Sequence, residues 1–461
     1  MEPSPDCTSA AVAAAEPGKE QERHASWNEL FFDLVVVAGI GQLAHLLQAA
    51  PGVGGLGLYL VLYLAFWTVW ACFTVYGDIA AAQTRTWNLL IAMIGMAVMA
   101  ASVPGIETRH TDAFVIAYVL LRWFGGRIWE RGKVVTDWPL AQYGAGSAPW
   151  LVSLFAPDSW RYWLWAAGVA IDTVTLLLVS AERIMRQASE RFARLMKRRE
   201  RHRPAARTEV PPAVRKNGSE SGAGVQESGP RLGPGGTRPR GGPAQHPERK
   251  PPTAPVGAST DAAHLAERLG LYVIIVLGEG IIQIVDALTE HETWGPDVLA
   301  TALGGSVLLI AIWYLSLLHG SDGVPLLRAS VLAPRQTMAL HAALTAALAA
   351  LAGCLGLAVE YASGTLPPST FNVMCGAMAL YFTVSMLGAA KSGPGRTWLL
   401  GFALPSLLTP AILVLLQGRV ATPVLVWGLA ASVCWQIAYK PQPRDNDRDM
   451  PTQSDGSHSG P

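Results

Sequence analysis

The sequence predicts an all-α polytopic membrane protein, a bundle of about 12 transmembrane helices. Its 461 residues are 51% hydrophobic and only 15% charged, whereas soluble proteins are about a quarter charged. Apolar stretches recur at a length that spans a hydrocarbon core of about 30 Å. Backbone amides in lipid must hydrogen-bond internally, so these stretches are expected to be helices.

The predicted spans follow one another, with a long polar interruption after the sixth. They are residues 29–50, 56–78, 86–103, 111–131, 139–156, 161–181, 265–288, 297–318, 336–360, 370–389, 396–417 and 421–439. Pro139 and Pro149, together with two glycines, interrupt the fifth segment, which we expect to be broken or re-entrant. Pro405 and Pro410 predict a kink in the eleventh.

The polar parts of the chain divide it into five regions. These are a disordered cytoplasmic N-terminus (1–25), a first six-helix half (26–182), a basic Pro/Gly-rich linker (183–260), a second six-helix half (261–440) and a disordered tail (441–461). The linker holds too few apolar residues to offset its ordering entropy. Its first part, Arg183 to Arg203, is expected to contact anionic lipid headgroups.

The short loops predict the orientation of the protein in the membrane. If the N-terminus is inside, the outer loops hold only Arg109, Arg161 and Arg419, and the other basic loop residues lie inside. Cytoplasmic loops carry the excess of Lys and Arg, so both termini are predicted to be cytoplasmic. The first 25 residues lack an apolar core, so we do not expect a signal peptide.

A few shared features suggest that the two halves are parallel repeats. Glu29 opens helix 1 and Glu267 opens helix 7. Helix 2 has a Trp seven residues before Gly77 and Asp78, and helix 8 has one seven residues before Gly320, with Asp322 following. Chance similarity between two apolar helices is the alternative.

A polar stripe on helix 7 is the leading candidate site. At 100° per residue its polar members fall within about 60° of one another. They are Arg268, Tyr272, Glu279, Gln283 and Asp286. The stripe predicts a proton or ion path, or the wall of a polar substrate cavity. The alternative is hydrogen bonding between helices, with Glu279 paired to Arg122 or another basic residue.

Two further groups of ionisable residues lie within predicted spans. Arg122 and Asp172 sit at matching depths near the midplane and are expected to form a buried ion pair. The alternative is that both belong to the same ion or substrate path as the helix 7 stripe. A set of carboxylates lies at the inner ends of helices, where it would either stabilise helix N-termini or form a gate. This set is Glu29, Asp33, Asp78, Glu267 and Asp322.

The sequence lacks the motifs of several kinds of catalytic and metal site. No HExxH, GxxxxGK[ST] or GxSxG pattern occurs, so we expect no metal site, nucleotide-hydrolysing pump or hydrolase elbow. We therefore expect no cofactor. Nucleic-acid binding is not expected either, because no aromatic interleaving or folded module accompanies the basic linker.

Two long motifs resemble the signatures of the bacterial low temperature requirement protein A family. They are WNELFFDLVVVAGIGQLAHLL at 27–47 and ERLGLYVIIVLGEGIIQIV at 267–285, and YGD at 76–78 and AYVLLR at 117–122 are also similar. The resemblance implies a multi-pass bacterial plasma membrane protein linked to growth in the cold. It implies no particular chemistry, and the long basic linker departs from the family.

Three functions remain open at this point. The leading hypothesis is secondary transport or ion conduction, moving a proton, a cation or a small polar substrate along helix 7. A membrane-embedded enzyme acting on lipid would instead use the inner carboxylates Asp33, Asp78 and Asp322. A scaffold or sensor would recruit partners through the linker. We favour a protein that is not an enzyme.

Overall fold

The computed structural model is a helical bundle in which the described helices follow the predicted spans. It describes residues 26–80, 86–130, 134–136, 144–179, 186, 189–194, 196–197, 256–258, 260–328, 332–391 and 399–439. In the first half the helices are α1 (Trp27–Ala49), α2 (Val53–Ala80), α3 (Thr86–Ser102), α4 (Thr111–Glu130), α5 (Ser147–Ser153) and α6 (Asp158–Leu178). In the second they are α7 (Ala262–Glu290), α8 (Pro296–Trp313), α9 (Pro334–Glu360), α10 (Pro368–Lys391), α11 (Leu404–Leu415) and α12 (Thr422–Ala438).

Seven helical stretches among the described residues are long and apolar enough to cross a membrane. They are Trp27–Ala49, Val53–Ile79, Thr86–Gly105, Ala262–Glu290, Pro296–Leu318, Pro334–Glu360 and Pro368–Ala389. Large apolar side chains cover the outside of the bundle; Ile94 and Leu303, for example, are 67% and 59% exposed. Such a surface suits lipid and not water. These helices and this surface agree with the prediction of a polytopic helical membrane protein.

The fifth predicted span is not a continuous helix in its described part, as its prolines and glycines led us to expect. Within residues 144–156 the helix covers only Ser147–Ser153, and residues 139–143 lie outside the described part of the chain. A Cβ atom at Gly146 would overlap the Asp172 carboxylate, so the backbone approaches α6 too closely for a side chain there. The interruption predicted from proline and glycine is present.

The bundle is built around α2 and α9. Most of α9 between Thr337 and Val359 is buried, and this stretch is rich in alanine and glycine. Small side chains let helices approach closely in membranes, which suits α9 to a central position. The other central helix, α2, contributes large aromatic side chains to the core, among them Tyr59, Trp67 and Trp70.

Contacts at both ends show that α1 and α7 run parallel. His264 in the first turn of α7 lies 3.6 Å from Glu29 in the first turn of α1. Near the other end, Gln48 donates a hydrogen bond to Gln283. We call the membrane face at which α1 begins the α1-start face, and the opposite one the α1-end face.

Asp322 lies in a tight hairpin and not on a helix. Strand β3 (Gly320–Ser321) pairs antiparallel with β4 (Val324–Pro325). The two intervening residues, Asp322 and Gly323, have φ of 57° and 71°. An Asp-Gly pair suits this type of two-residue turn. Since Gly77 and Asp78 lie within α2, the two supposed counterparts occupy different local structures, and the internal repeat stays a prediction.

The chain divides into two compact units. One is Met1–Ile184 with Val256–Pro461, and the other is Met185–Pro255. Both predicted membrane halves thus belong to one unit. In this unit, β1 (Val134–Thr136) pairs in parallel with β2 (Val256–Ala258). Most of the predicted headgroup-binding stretch from Arg183 to Arg203, both predicted tails and nearly all of the linker lie outside the described residues.

Candidate functional site

The polar stripe of α7 is buried along most of its length. Arg268, Tyr272, Glu279 and Gln283 are all buried within the bundle, whereas Asp286 is exposed near the end of α7. Arg268 and Gln283 form hydrogen bonds with side chains of α1, and the ring of Tyr272 contacts Trp70 of α2. Glu279 accepts its hydrogen bond from Gln283 within α7. The stripe therefore faces other helices, and its last predicted member does not belong to the buried part.

At the α1-start face, His264 joins carboxylates from two helices. Its Nδ1 lies 2.8 Å from Oδ1 of Asp78 near the end of α2. Its Nε2 lies 3.6 Å from Oε2 of Glu29, which also accepts hydrogen bonds from Ser26. The backbone N–H of Asp261 donates to the second oxygen of Asp78 at 2.8 Å. The start of α7 is thereby tied to α1 and α2.

One turn further along, Arg268 and Asp33 form a buried ion pair. Arg268 Nη2 donates to Asp33 Oδ1 at 2.7 Å, and Trp70 Nε1 donates to the same oxygen at 2.8 Å. Among the described residues, Asp33 Oδ2 and the other two guanidinium nitrogens have no hydrogen-bond partner. The pair is thus held through one of its two carboxylate oxygens. We call Glu29, Asp33, Asp78, His264 and Arg268 the ion-pair cluster.

A layer of aromatic rings lies between the ion-pair cluster and the middle of the bundle. The rings of Trp70 and Tyr272 are 4.3 Å apart, and that of His341 lies 5.5 Å from Tyr272. Trp67 Nε1 lies 3.2 Å from His341 Nδ1, and His341 Nε2 lies 3.1 Å from the Leu269 carbonyl oxygen. All four side chains are buried, so α2, α7 and α9 are closely packed at this level.

Glu279 lies beyond this layer, in a chain of amide hydrogen bonds. Gln283 Nε2 donates to Glu279 Oε1 at 2.7 Å. Gln48 Nε2 donates to Gln283 Oε1 at 2.6 Å and to the Gly353 carbonyl at 2.8 Å. Gln48 Oε1 lies 3.2 Å from Nδ1 of His45, which is exposed. The buried carboxylate is thereby connected to the α1-end face.

Glu279 has no ionic partner in the described part of the chain. No basic side chain among the described residues lies within 4.0 Å of its carboxylate, although Glu279 is only 4% exposed. The alternative expectation that Arg122 pairs with Glu279 is wrong, because Arg122 is engaged elsewhere. The Glu279 oxygens lie against the backbone of Gly41 on α1.

The predicted pair of Arg122 and Asp172 is present and separate from the α7 stripe. Arg122 Nη2 donates to Asp172 Oδ1 at 3.1 Å, and Tyr118 donates to Oδ2 at 3.2 Å. Arg122 Nη1 also donates to the sulfur of Cys72 at 2.7 Å. Both charged side chains are nearly inaccessible, so the two charges neutralise each other between α4 and α6.

Two of the five predicted inner carboxylates do not join the ion-pair cluster. Glu267 is half-buried on α7. Asp322 accepts a hydrogen bond from Ser321 in its hairpin, where burial raises the pKa of its carboxyl above the usual value. Sequence reasoning missed His264, although it lies four residues before Arg268 and hence on the same helix face.

In the described residues α1 and α7 meet directly, with Gly41 against Glu279. An apolar groove of about 500 Å³ lies between α2, α9 and α10. No group of three or more His, Cys, Asp or Glu residues in the described ranges has the arrangement of a metal site.

We expect alanine at Gly41 and alanine at Gly278 to change stability in opposite directions. A Cβ atom at Gly41 would lie 3.2 Å from a Glu279 oxygen, so the carboxylate would be displaced. A Cβ atom at Gly278 would have no neighbouring atom within 4 Å. Alanine is better than glycine in a helix by about 1 kcal/mol. Thermal unfolding in detergent should show Gly278→Ala above wild type and Gly41→Ala below it. Equal midpoints for the two variants would contradict the close approach.

Comparison with known proteins gives one match. The model of the family described as Bacterial low temperature requirement A protein (LtrA) matches residues 24–434, nearly the whole chain. No curated protein and no solved structure matches.

Proposed function

This chain belongs to the bacterial low temperature requirement A family, and we propose that it conducts protons across the membrane, with Glu279 as the group that carries the proton. The observation behind the proposal is the surroundings of Glu279. It is buried in the bundle, its described hydrogen-bond partner is a neutral amide, and no basic side chain of the described residues lies within 4.0 Å.

Glu279 differs from the buried acids Asp33 and Asp172 in having no positively charged partner among the described residues. An ionised carboxylate in an apolar interior is unfavourable unless it is paired, and it otherwise gains a proton. Asp172 and Asp33 have arginine partners at 3.1 Å and 2.7 Å, so they can stay ionised. Glu279 lacks such a partner among the described residues, so it is the acid best suited to bind and release a proton.

The arrangement of amides favours a proton over a metal cation. Alkali and alkaline-earth cations need several oxygen ligands directed at one point. Here Gln283 directs its Nε2 at Glu279, and Gln48 directs its Nε2 at Gln283. These N–H groups occupy the positions that further oxygen ligands would need. Coupling of the proton to a small polar substrate would make the protein a secondary transporter.

We further propose that the chain crosses the membrane 12 times, with both termini in the cytoplasm. Tyr162, near the start of α6, donates a hydrogen bond at 3.3 Å to Glu107, which lies in the loop just before α4. This contact supports α4 and α6 running in the same direction, so the segment between them must return across the membrane. Thr422 at the start of α12 donates to the carbonyl of Tyr361 at the end of α9, which supports a C-terminus at the α1-start face. The excess of Lys and Arg in the loops at this face supports its assignment to the cytoplasm.

A lipid-acting enzyme and a linker-based scaffold have less support. The enzyme would need free acid–base groups at the α1-start face, but Asp33 and Asp78 are engaged by Arg268 and His264. Its third predicted acid, Asp322, accepts a hydrogen bond from Ser321 within its hairpin. The scaffold depends on the linker, nearly all of which lies outside the described residues, so it stays a prediction.

Proton flux in liposomes tests the proposal. Purified protein is reconstituted with a pH-sensitive dye inside, and a K⁺ diffusion potential drives protons inward. We expect Glu279→Gln to lower the flux at least about tenfold, since a positioned proton carrier contributes about 10²–10⁴-fold. Glu360→Gln, the same change at an exposed position at the end of α9, is the matched control and should keep wild-type flux.

Two results would overturn proton conduction through Glu279. One is wild-type flux no greater than that of empty liposomes. The other is equal flux in wild type and in a folded Glu279→Gln variant, with folding checked by gel filtration.

A further inference from the structure

The direction of the hydrogen-bond chain at Glu279 is determined by one backbone carbonyl. The Gly353 carbonyl can only accept, so the Gln48 side-chain atom at 2.8 Å from it must be the amide nitrogen. The same nitrogen lies 2.6 Å from Gln283, whose facing atom is therefore oxygen. This leaves the Gln283 nitrogen to donate to Glu279. His45 must then donate from Nδ1 to Gln48.

The chain becomes steadily more accessible toward the α1-end face. Glu279 and Gln283 are buried, Gln48 is half-buried and His45 is exposed. The hydrogen bonds from His45 to Gln48, from Gln48 to Gln283 and from Gln283 to Glu279 all donate toward the carboxylate. Hydrogen bonds aligned in one direction polarise one another. Glu279 is thus connected to the α1-end face by polar groups.

Toward the α1-start face, two closed layers separate Glu279 from solvent. The aromatic layer comes first, with the rings of Trp70 and Tyr272 in contact at 4.3 Å. The ion-pair cluster follows, and it ties α7 to α1 through Arg268 and Asp33 and to α2 through His264 and Asp78. A proton on Glu279 therefore has no described polar connection to this face.

The ion pair in the second layer is built to open more easily than a fully satisfied pair. Arg268 uses one nitrogen, and Asp33 uses one oxygen for both Arg268 and Trp70. Their remaining buried atoms have no hydrogen-bond partner among the described residues. Each unsatisfied buried polar atom offsets part of the stabilisation that the pair provides. A two-point Arg–carboxylate pair would be stronger.

From these contacts we propose that the ion-pair cluster is a gate, closed here, that must open for Glu279 to exchange its proton with the α1-start face. On the α1-end side, Glu279 exchanges its proton with water admitted along the polar side chains of Gln283 and Gln48 while the gate is closed. The inference rests on the proposed proton conduction. Opening separates the start of α7 from α1 and α2, and the proton passes between Glu279 and water on that side.

Neutralising the gate tests the proposal in the liposome assay. The double variant Asp33→Asn/Arg268→Gln removes both charges together, so neither is left buried and unpaired. We expect its proton conductance to rise about tenfold, because the closed state loses the interaction that favours it. Adding Glu279→Gln should remove this extra conductance. If the double variant does not fold, His264→Gln weakens the same gate while keeping a donor for Asp78.

The other buried pair provides the control. Arg122→Gln/Asp172→Asn neutralises equal charges between α4 and α6, away from the gate, and should not raise the conductance. The gate is overturned if the folded gate variant conducts no faster than wild type, or if its leak persists with Glu279→Gln. If the gate variant conducts no faster than wild type but Glu279→Gln alone still abolishes flux, the gate is wrong and proton conduction through Glu279 is still supported. Unchanged flux in Glu279→Gln instead removes the conduction proposal itself.

Discussion

Replacing Arg122 with glutamine alone is expected to lower the free energy of unfolding by about 3–5 kcal/mol, the typical cost of leaving one partner of a buried ion pair uncompensated. Asp172 would keep the Tyr118 hydrogen bond but lose its cation, and Cys72 would lose its donor. Since both charged side chains are almost fully buried, water cannot replace the guanidinium without rearrangement.

The double variant Arg122→Gln/Asp172→Asn separates charge from packing. It keeps similar side-chain volumes but leaves no charge, so it should recover most of the lost stability. Thermal unfolding in detergent, followed by tryptophan fluorescence, compares the two variants. If the double variant is no more stable than the single one, the cost arises from packing and not from the unpaired carboxylate.

Alanine at Gly168 is expected to destabilise the fold by about 1–3 kcal/mol or more, the usual range for forcing an atom into a packed interior. A Cβ atom at Gly168 would lie 2.5 Å from the carbonyl oxygen of Gly146 and 2.5 Å from Trp150. A backbone oxygen cannot rotate away as a side chain can, so α5 and α6 would have to separate. The stacked rings of Trp150 and Trp165, 5.0 Å apart, would then separate as well.

Gly125 on α4 is the matched control for Gly168. The nearest atom to a Cβ at this position is 3.9 Å away, so Gly125→Ala should fit and should gain helix propensity. Near-UV circular dichroism should report loss of the tryptophan stacking in Gly168→Ala alone. Wild-type stability and spectrum in Gly168→Ala would show that α5 does not pack as tightly as described.

The helical membrane character, with seven spanning-length helices among the described residues, and the buried polar residues were predictable from the sequence. Hydropathy over about 20 residues and the 3.6-residue period are local properties, so they locate helices and the faces of helices without knowledge of the neighbours. They placed Arg268, Tyr272, Glu279 and Gln283 on one face, and that face is buried. Matching depth was enough to predict the pair of Arg122 and Asp172.

The prediction for Asp322 overlooked a turn signal in the sequence. Asp322 was grouped with the inner carboxylates from its position near the end of a span. The following glycine makes an Asp-Gly pair, a strong signal for a two-residue hairpin turn, and both residues have positive φ. Local sequence information could therefore have assigned Asp322 to the hairpin.

The sequence alone determined that this is a helical membrane protein with ionisable residues inside its spans. Only the tertiary structure decided which of them meet. Gln48 and Gln283 are 235 residues apart, as are Asp33 and Arg268, and each contact depends on how α1 and α7 pack side by side. Helix periodicity carries no information about the neighbour of a face. For that reason the partners of Asp78, Arg268 and Gln283, and with them the candidate gate, emerged only from the packed bundle.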